Sequence, residues 1–212
     1  MSHQTTHTCT GCNQGSWKAA TGTAPCTACT PNSNTAGTAS TAVTDCDCDP
    51  GYSGLITTPG SSCSACDTGQ YLGAAQAASC IDCPADATTA DTASTAVADC
   101  LCEAGFEGTI TAPADECEAC AADTYKAAVG TDTCEDCPAD SSTDDTGSDA
   151  LTDCECSAGF TGDIQAPEDT CTACDQGEYK AARGSAACTS CPDDSDTSPI
   201  ACQDGSAMTR LD

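Results

Sequence analysis

CDCDPGYSGLITTPGSSCSAC at residues 46–66 returns as CLCEAGFEGTITAPADECEAC at 100–120 and as CECSAGFTGDIQAPEDTCTAC at 154–174. The step is 54 residues each time, without slippage. Working outward, the same step links Cys9, Cys63, Cys117 and Cys171, then Cys12, Cys66, Cys120 and Cys174. It also links Cys26, Cys80, Cys134 and Cys188, and then Cys29, Cys83, Cys137 and Cys191. Other residue types keep step: Trp17, Tyr71, Tyr125 and Tyr179; Tyr52, Phe106 and Phe160; Ile56, Ile110 and Ile164. A fixed period of this length marks a tandem array of small supersecondary units, each touching only its neighbours.

The phase of the cysteines divides the chain into 1–11, the end of a preceding repeat, then repeats 12–65, 66–119 and 120–173, and a partial repeat 174–212. In the last repeat the spacing from Cys191 to Cys202 is 11, where Cys29 to Cys46 is 17, and the second cysteine of C-x-C is missing. Gly51, Gly54 and their counterparts sit where a tight turn after C-x-C requires positive φ. The Thr-rich stretches 35–44 and 90–98 read as short ribbon or coil, and helix content is expected near zero.

Of the 212 residues 23 are Cys, whereas Val, Ile, Leu, Met, Phe, Trp and Tyr together number only 22. Ordering a residue costs roughly 1–2 kcal/mol of backbone entropy, which so thin a core does not offset. A chain of net charge -28 and this composition is disordered unless cross-linked. The cysteines therefore supply the order, and thiols in such number persist as disulfides in an oxidising compartment. The expected place is extracellular, secreted or at the cell surface. No apolar run approaches the length of a membrane span, so direct membrane insertion is not expected. Residues 1–8 lack the apolar core of a secretion signal, so the chain reads as an excised piece of a longer precursor.

Thirty-three acidic residues against five basic ones repel nucleic acid and anionic lipid. Cys9-x2-Cys12…Cys26-x2-Cys29 has the outline of a four-thiolate zinc site, but the extra C-x-C in every unit and only two histidines favour disulfides. No cofactor is expected, with calcium the alternative at Asp45, Asp47 and Asp49, at Asp144 and Asp145, or at Asp193 and Asp194. No catalytic constellation emerges, and no enzyme activity is expected. All three lysines, Lys18, Lys126 and Lys180, follow the repeat aromatic, and Leu72 takes the slot in repeat two. The slot reads as an alkyl stem packed on a ring or disulfide with its ammonium in solvent, or as a contact to the acidic loops of a neighbouring chain. No N-linked acceptor is present; the Thr clusters are candidates for O-linked sugars, which would make the chain a glycoprotein.

The run from Cys174 through Gly177 and Tyr179 to Cys188-x2-Cys191-Pro192 resembles the ephrin-receptor-like cysteine-rich repeat. So does Cys-Pro-x2-Ser/Ala-x-Thr leading to Cys-x-Cys-x2-Gly-Tyr/Phe. Repeat one departs from it with Thr30-Pro31 after Cys29 and with Trp17 in the aromatic slot. The resemblance implies an extracellular, disulfide-laddered module without catalytic activity, and hence a small disulfide-rich repeat protein with little secondary structure. Cys-x-Cys-x2-Gly-aromatic-x-Gly is similar to the second half of an epidermal-growth-factor-like (EGF-like) module. That likeness implies Cys48–Cys63, Cys102–Cys117 and Cys156–Cys171. The other four cysteines of a unit can pair in sequence or crossed (Cys12–Cys29 with Cys26–Cys46), which spacing alone does not decide. The first loop resembles that of tumour-necrosis-factor-receptor repeats. This implies the sequential ladder: Cys12–Cys26, Cys29–Cys46, Cys66–Cys80, Cys83–Cys100, Cys120–Cys134, Cys137–Cys154, Cys174–Cys188 and Cys191–Cys202. Cys9 is left over. Its slot closes the unit before, which is expected upstream.

The function expected is an elongated structural or adhesive rod, a segment of a filament, surface or matrix protein. Its partners would be other protein chains or further repeats. A ligand-binding receptor ectodomain is the alternative.

Overall fold

The computed structural model describes residues 9–75 and 78–191. It contains short two-stranded ribbons and single turns of 3-10 helix, each held by a nearby disulfide. In repeat one, Ser16–Trp17 pairs with Thr27–Ala28, Ser33–Thr35 with Cys46–Cys48, and Tyr52–Ser53 with Ser64–Ala65. All three pairings are antiparallel. An isolated two-stranded ribbon is marginal in water, so each needs its staple.

The staples run in sequence along the chain. Cys12–Cys26, Cys66–Cys80, Cys120–Cys134 and Cys174–Cys188 hold the first ribbons. Cys29–Cys46, Cys83–Cys100 and Cys137–Cys154 hold the second. Cys48–Cys63, Cys102–Cys117 and Cys156–Cys171 hold the third. Cys9 is free and exposed. Cys191 is disulfide-bonded, and Cys202, its expected partner, lies outside the described residues. Each bridge closes 14–17 residues. By the chain-entropy account such a loop stabilises by about 3 kcal/mol.

The chain forms two compact units, Met1–Leu101 with Ile110–Asp115, and Cys102–Thr109 with Glu116–Asp212. In the first, Cys46, Cys48 and Ile56 are buried under Trp17, Val43, Tyr52 and two further half-cystines. In the second, Tyr125, Cys154, Cys156 and Ile164 are buried with Leu151 and Phe160 packed on them. Sulfur stands in for the aliphatic side chains the composition lacks.

Inside the Thr-rich stretch, Thr35 ends a strand and Val43–Asp45 makes one 3-10 turn. The turn forms because Asp45 accepts the backbone N–H groups of Thr41 and Ala42 at 2.8 and 2.9 Å. Asp99 and Asp153 repeat the arrangement at Val97–Asp99 and Leu151–Asp153. Thr35, Thr89 and Thr143 are buried, each tying two loops of its repeat together. The Thr143 hydroxyl donates to the Asp145 carbonyl at 3.0 Å and accepts from the Asp123 N–H at 2.9 Å. Among the described residues no helix is long and apolar enough to cross a membrane.

Candidate functional site

The chemistry that recurs is at the junctions, where the C-x-C-x2-Gly segment of one repeat meets the aromatic slot of the next. In the first unit the Gly51 N–H donates to the Leu72 carbonyl at 2.8 Å, and the Gly51 carbonyl accepts from the Cys66 N–H at 2.9 Å. Leu72 N–H reaches the Ser94 carbonyl at 3.0 Å, and Ala93 N–H reaches that of Cys66 at 2.8 Å. Gly51 has φ 83°, and a Cβ there would stand 2.2 Å from the Ala93 carbonyl oxygen. Only glycine allows the two backbones to meet this closely. The second unit repeats the clasp twice. Gly105 N–H donates to Lys126 and Gly159 N–H to Lys180, at 2.8 and 2.9 Å.

The lysine slot corrects the sequence reading. Both expectations left the ammonium outside, in solvent or on a neighbouring chain. Instead Lys126 and Lys180 are only 4% and 5% exposed. The Lys126 ammonium donates to the carbonyls of Cys102, Glu103, Phe106 and Gly130 at 3.1, 3.2, 2.7 and 3.0 Å. Lys180 donates to Cys156 and Phe160 at 3.1 and 2.7 Å, and to Gly184. Three of the Lys126 acceptors and two of the Lys180 acceptors belong to the preceding repeat. Desolvation favours the neutral amine, but convergent carbonyl dipoles replace the lost water and hold the charge. Burial pulls both amines below the ordinary lysine value; Asp132 and Glu107 oppose this at Lys126, and Glu155 opposes it at Lys180.

The other described cations behave alike. Lys18 donates to the carbonyls of Gly22 and Ala24, both at 2.6 Å. Arg183 donates to the Thr143 carbonyl and to Ser142 Oγ at 3.3 Å, pairs with Asp144, and lies 3.7 Å from Glu155. Every described cation thus meets at least one main-chain carbonyl.

Among the described residues no group of three or more His, Cys, Asp or Glu side chains is placed to hold a metal ion. Asp45 is engaged by backbone N–H groups and Asp144 by Arg183. Asp47 lies in the ribbon Cys46–Cys48 opposite Asn34, and Asp49 donates its own N–H to the Asn32 carbonyl. Asp193 and Asp194 lie outside the described residues. The cysteines of the zinc-like outline are spent on Cys12–Cys26 and Cys29–Cys46. In the second unit an open hollow of about 290 Å³ is lined by Asp144, Asp145, Asp153 and Glu155 with neighbouring Thr, Ser and Gly residues. It brings no His, Cys or Lys to those carboxylates.

Sequence reasoning missed the carbonyl cage and the buried threonines. The confinement of every lysine to one slot, in a chain with five basic residues, was the available signal for the cage. Its acceptors are main-chain oxygens, which every residue carries and no spacing marks.

No curated protein matches the chain. The model of the family described as tyrosine-protein kinase ephrin type A/B receptor-like matches residues 1–46, 55–100, 108–154 and 156–206. Four matches across nearly the whole length, over a ladder of sequential disulfides and a repeated junction, place the chain in that family of cysteine-rich, extracellular-type repeats.

Proposed function

We propose that the chain is an extracellular structural or adhesive rod, a spacer segment of a larger filament, surface or matrix protein. The observation that supports it most is the reuse of one clasp at Gly51, Gly105 and Gly159. Repeats joined by the same main-chain contacts add length without adding chemistry, and nearest-neighbour stacking gives each further repeat the same stability increment. The outward charge fits a spacer as well. With the described cations turned onto carbonyls, the remaining surface is acidic, stays soluble and discourages nucleic acid and anionic membranes as partners.

A ligand-binding receptor ectodomain is the second reading, favoured by exposed Leu55, Ile81 and Val129, one in each of the first three repeats. Deleting residues 66–119 in the encoding gene separates the two. A spacer lacking one repeat still assembles, with its reach shortened. A receptor keeps its surface display and loses ligand capture, and that outcome would overturn the spacer reading.

A further inference from the structure

We infer that repeat one carries a preformed docking face for the C-x-C-x2-Gly-aromatic segment of a further cysteine-rich repeat, with Cys9 as its covalent staple. The face is the first-repeat copy of a surface already seen occupied. At the junctions within each unit, an incoming glycine loop is gripped by the Cys66, Cys120 or Cys174 N–H and by the carbonyl of the Leu72, Lys126 or Lys180 slot. Repeat one builds the same parts. Ala39 N–H donates to the Cys12 carbonyl at 2.7 Å, as Ala93 does to Cys66 and Gly147 to Cys120. Lys18 N–H donates to Ser40 at 3.1 Å, as Leu72 does to Ser94 and Lys126 to Ser148.

What differs is cover. Leu72, Lys126 and Lys180 are buried, whereas Lys18 is half-buried. Ala93 and Gly147 are half-buried, whereas Ala39 is exposed. The Lys18 ammonium reaches only Gly22 and Ala24, carbonyls of its own repeat, where Lys126 adds three from the repeat before. Cys9 completes the set, because Cys63, Cys117 and Cys171 at the same position each bridge the second cysteine of a C-x-C.

The occupant is therefore a segment with the chemistry of residues 46–62. It is not a second copy of the described repeats, since Gly51, Gly105 and Gly159 are already engaged by Leu72, Lys126 and Lys180. The inference stands whether the array serves as spacer or as receptor ectodomain.

Bridge formation is thiol–disulfide exchange. The Cys9 thiolate attacks the segment's cysteine in its mixed disulfide with glutathione, the new S–S bond forms, and glutathione thiol leaves with the proton. The test extends the full chain, replacing residues 1–8 by a copy of residues 46–62 that carries Cys46→Ser. The copy of Cys48 then precedes Cys9 by the same spacing with which Cys48 precedes Cys63. The readout is the equilibrium ratio of the Cys9 bridge to free thiols in glutathione buffer, by mass spectrometry. A second extension carries Gly51→Val in the copied segment, whose side chain would strike the Ala39 carbonyl and force a positive φ on Val. Loop length is identical in both, and because Val at a positive φ also strains the segment's own turn, Lys18→Met, which leaves the segment unchanged, reads the docking face by itself. We expect the glycine extension to favour the bridge roughly tenfold or more over the valine one, and Lys18→Met to reduce that advantage. Equal ratios for the two extensions would overturn the inference.

Discussion

The junction at Leu72 and the junction at Lys126 use the same backbone and opposite side chains. Both donate a glycine N–H to the slot carbonyl at 2.8 Å, and both bury the slot residue. Leu72 is 2% exposed and fills its place with methyl groups; Lys126 fills the same place with an ammonium on four carbonyls. The difference teaches that the clasp is specified by the main chain and by the glycine, while the slot side chain sets how the space behind it is satisfied. One answer is apolar and tolerant of shape; the other is polar and demands complete hydrogen bonding.

The largest effect tests what the two junctions share. Removing the bridge beneath either one, by paired Cys48→Ser and Cys63→Ser or paired Cys102→Ser and Cys117→Ser, should cost about 3 kcal/mol. Chemical denaturation should give the same loss at both sites, and a clear inequality would place the difference in the staple rather than the slot.

Next comes one product residue at both slots. Lys126→Met withdraws the donors from buried carbonyls and should cost about 2–3 kcal/mol. Leu72→Met conserves volume and apolarity and should cost less than about 1.5 kcal/mol. Similar losses in thermal unfolding would break the comparison.

A third contrast lies just outside the slots, in the turn before the last cysteine of each unit. Asp115 accepts the N–H groups of Thr111 and Ala112, and Asp169 those of Gln165 and Ala166. Repeat one uses the neutral Ser61 hydroxyl for Thr57 and Thr58. These backbone donors hold both carboxyls below the ordinary carboxylate value. A depressed folded value means the stabilisation is complete above the unfolded-chain pKa and is lost as pH falls through the folded one. Amide exchange should show turns 111–115 and 165–169 opening in strong acid while turn 57–61 holds; parallel opening of all three would contradict the assignment.

The smallest effect concerns Ala93, which holds φ 60° where the next repeat has Gly147 at 79°. Ala93→Gly should relieve left-handed strain and stabilise by about 1 kcal/mol. Destabilisation in the same denaturation assay would show that the Ala93 methyl packs usefully.

These contrasts also mark how far the sequence could be read. The period, the tandem array and the glycine turns were legible because cysteine and glycine are irreplaceable at their positions. Cys12–Cys26 against Cys12–Cys29 was not decided by spacing, since either closes a short loop; the likeness to known modules carried that choice. The lysine slot was visible and its role was not. A side chain that binds side chains leaves a partner in the sequence, and one that binds carbonyls leaves none. Thr143 stayed hidden among surface threonines for the same reason, because its partners are the Asp123 N–H and the Asp145 carbonyl.

The caged ammonium is most directly tested by nitrogen-15 NMR of the lysine side chains. An ammonium in solvent exchanges its protons too fast to be seen, whereas one enclosed by carbonyls is protected. The account predicts slowly exchanging signals for Lys126 and Lys180, with through-hydrogen-bond correlations from Lys126 to the carbonyl carbons of Cys102 and Phe106, and a fast-exchanging Lys18. Three equally fast lysines would contradict it.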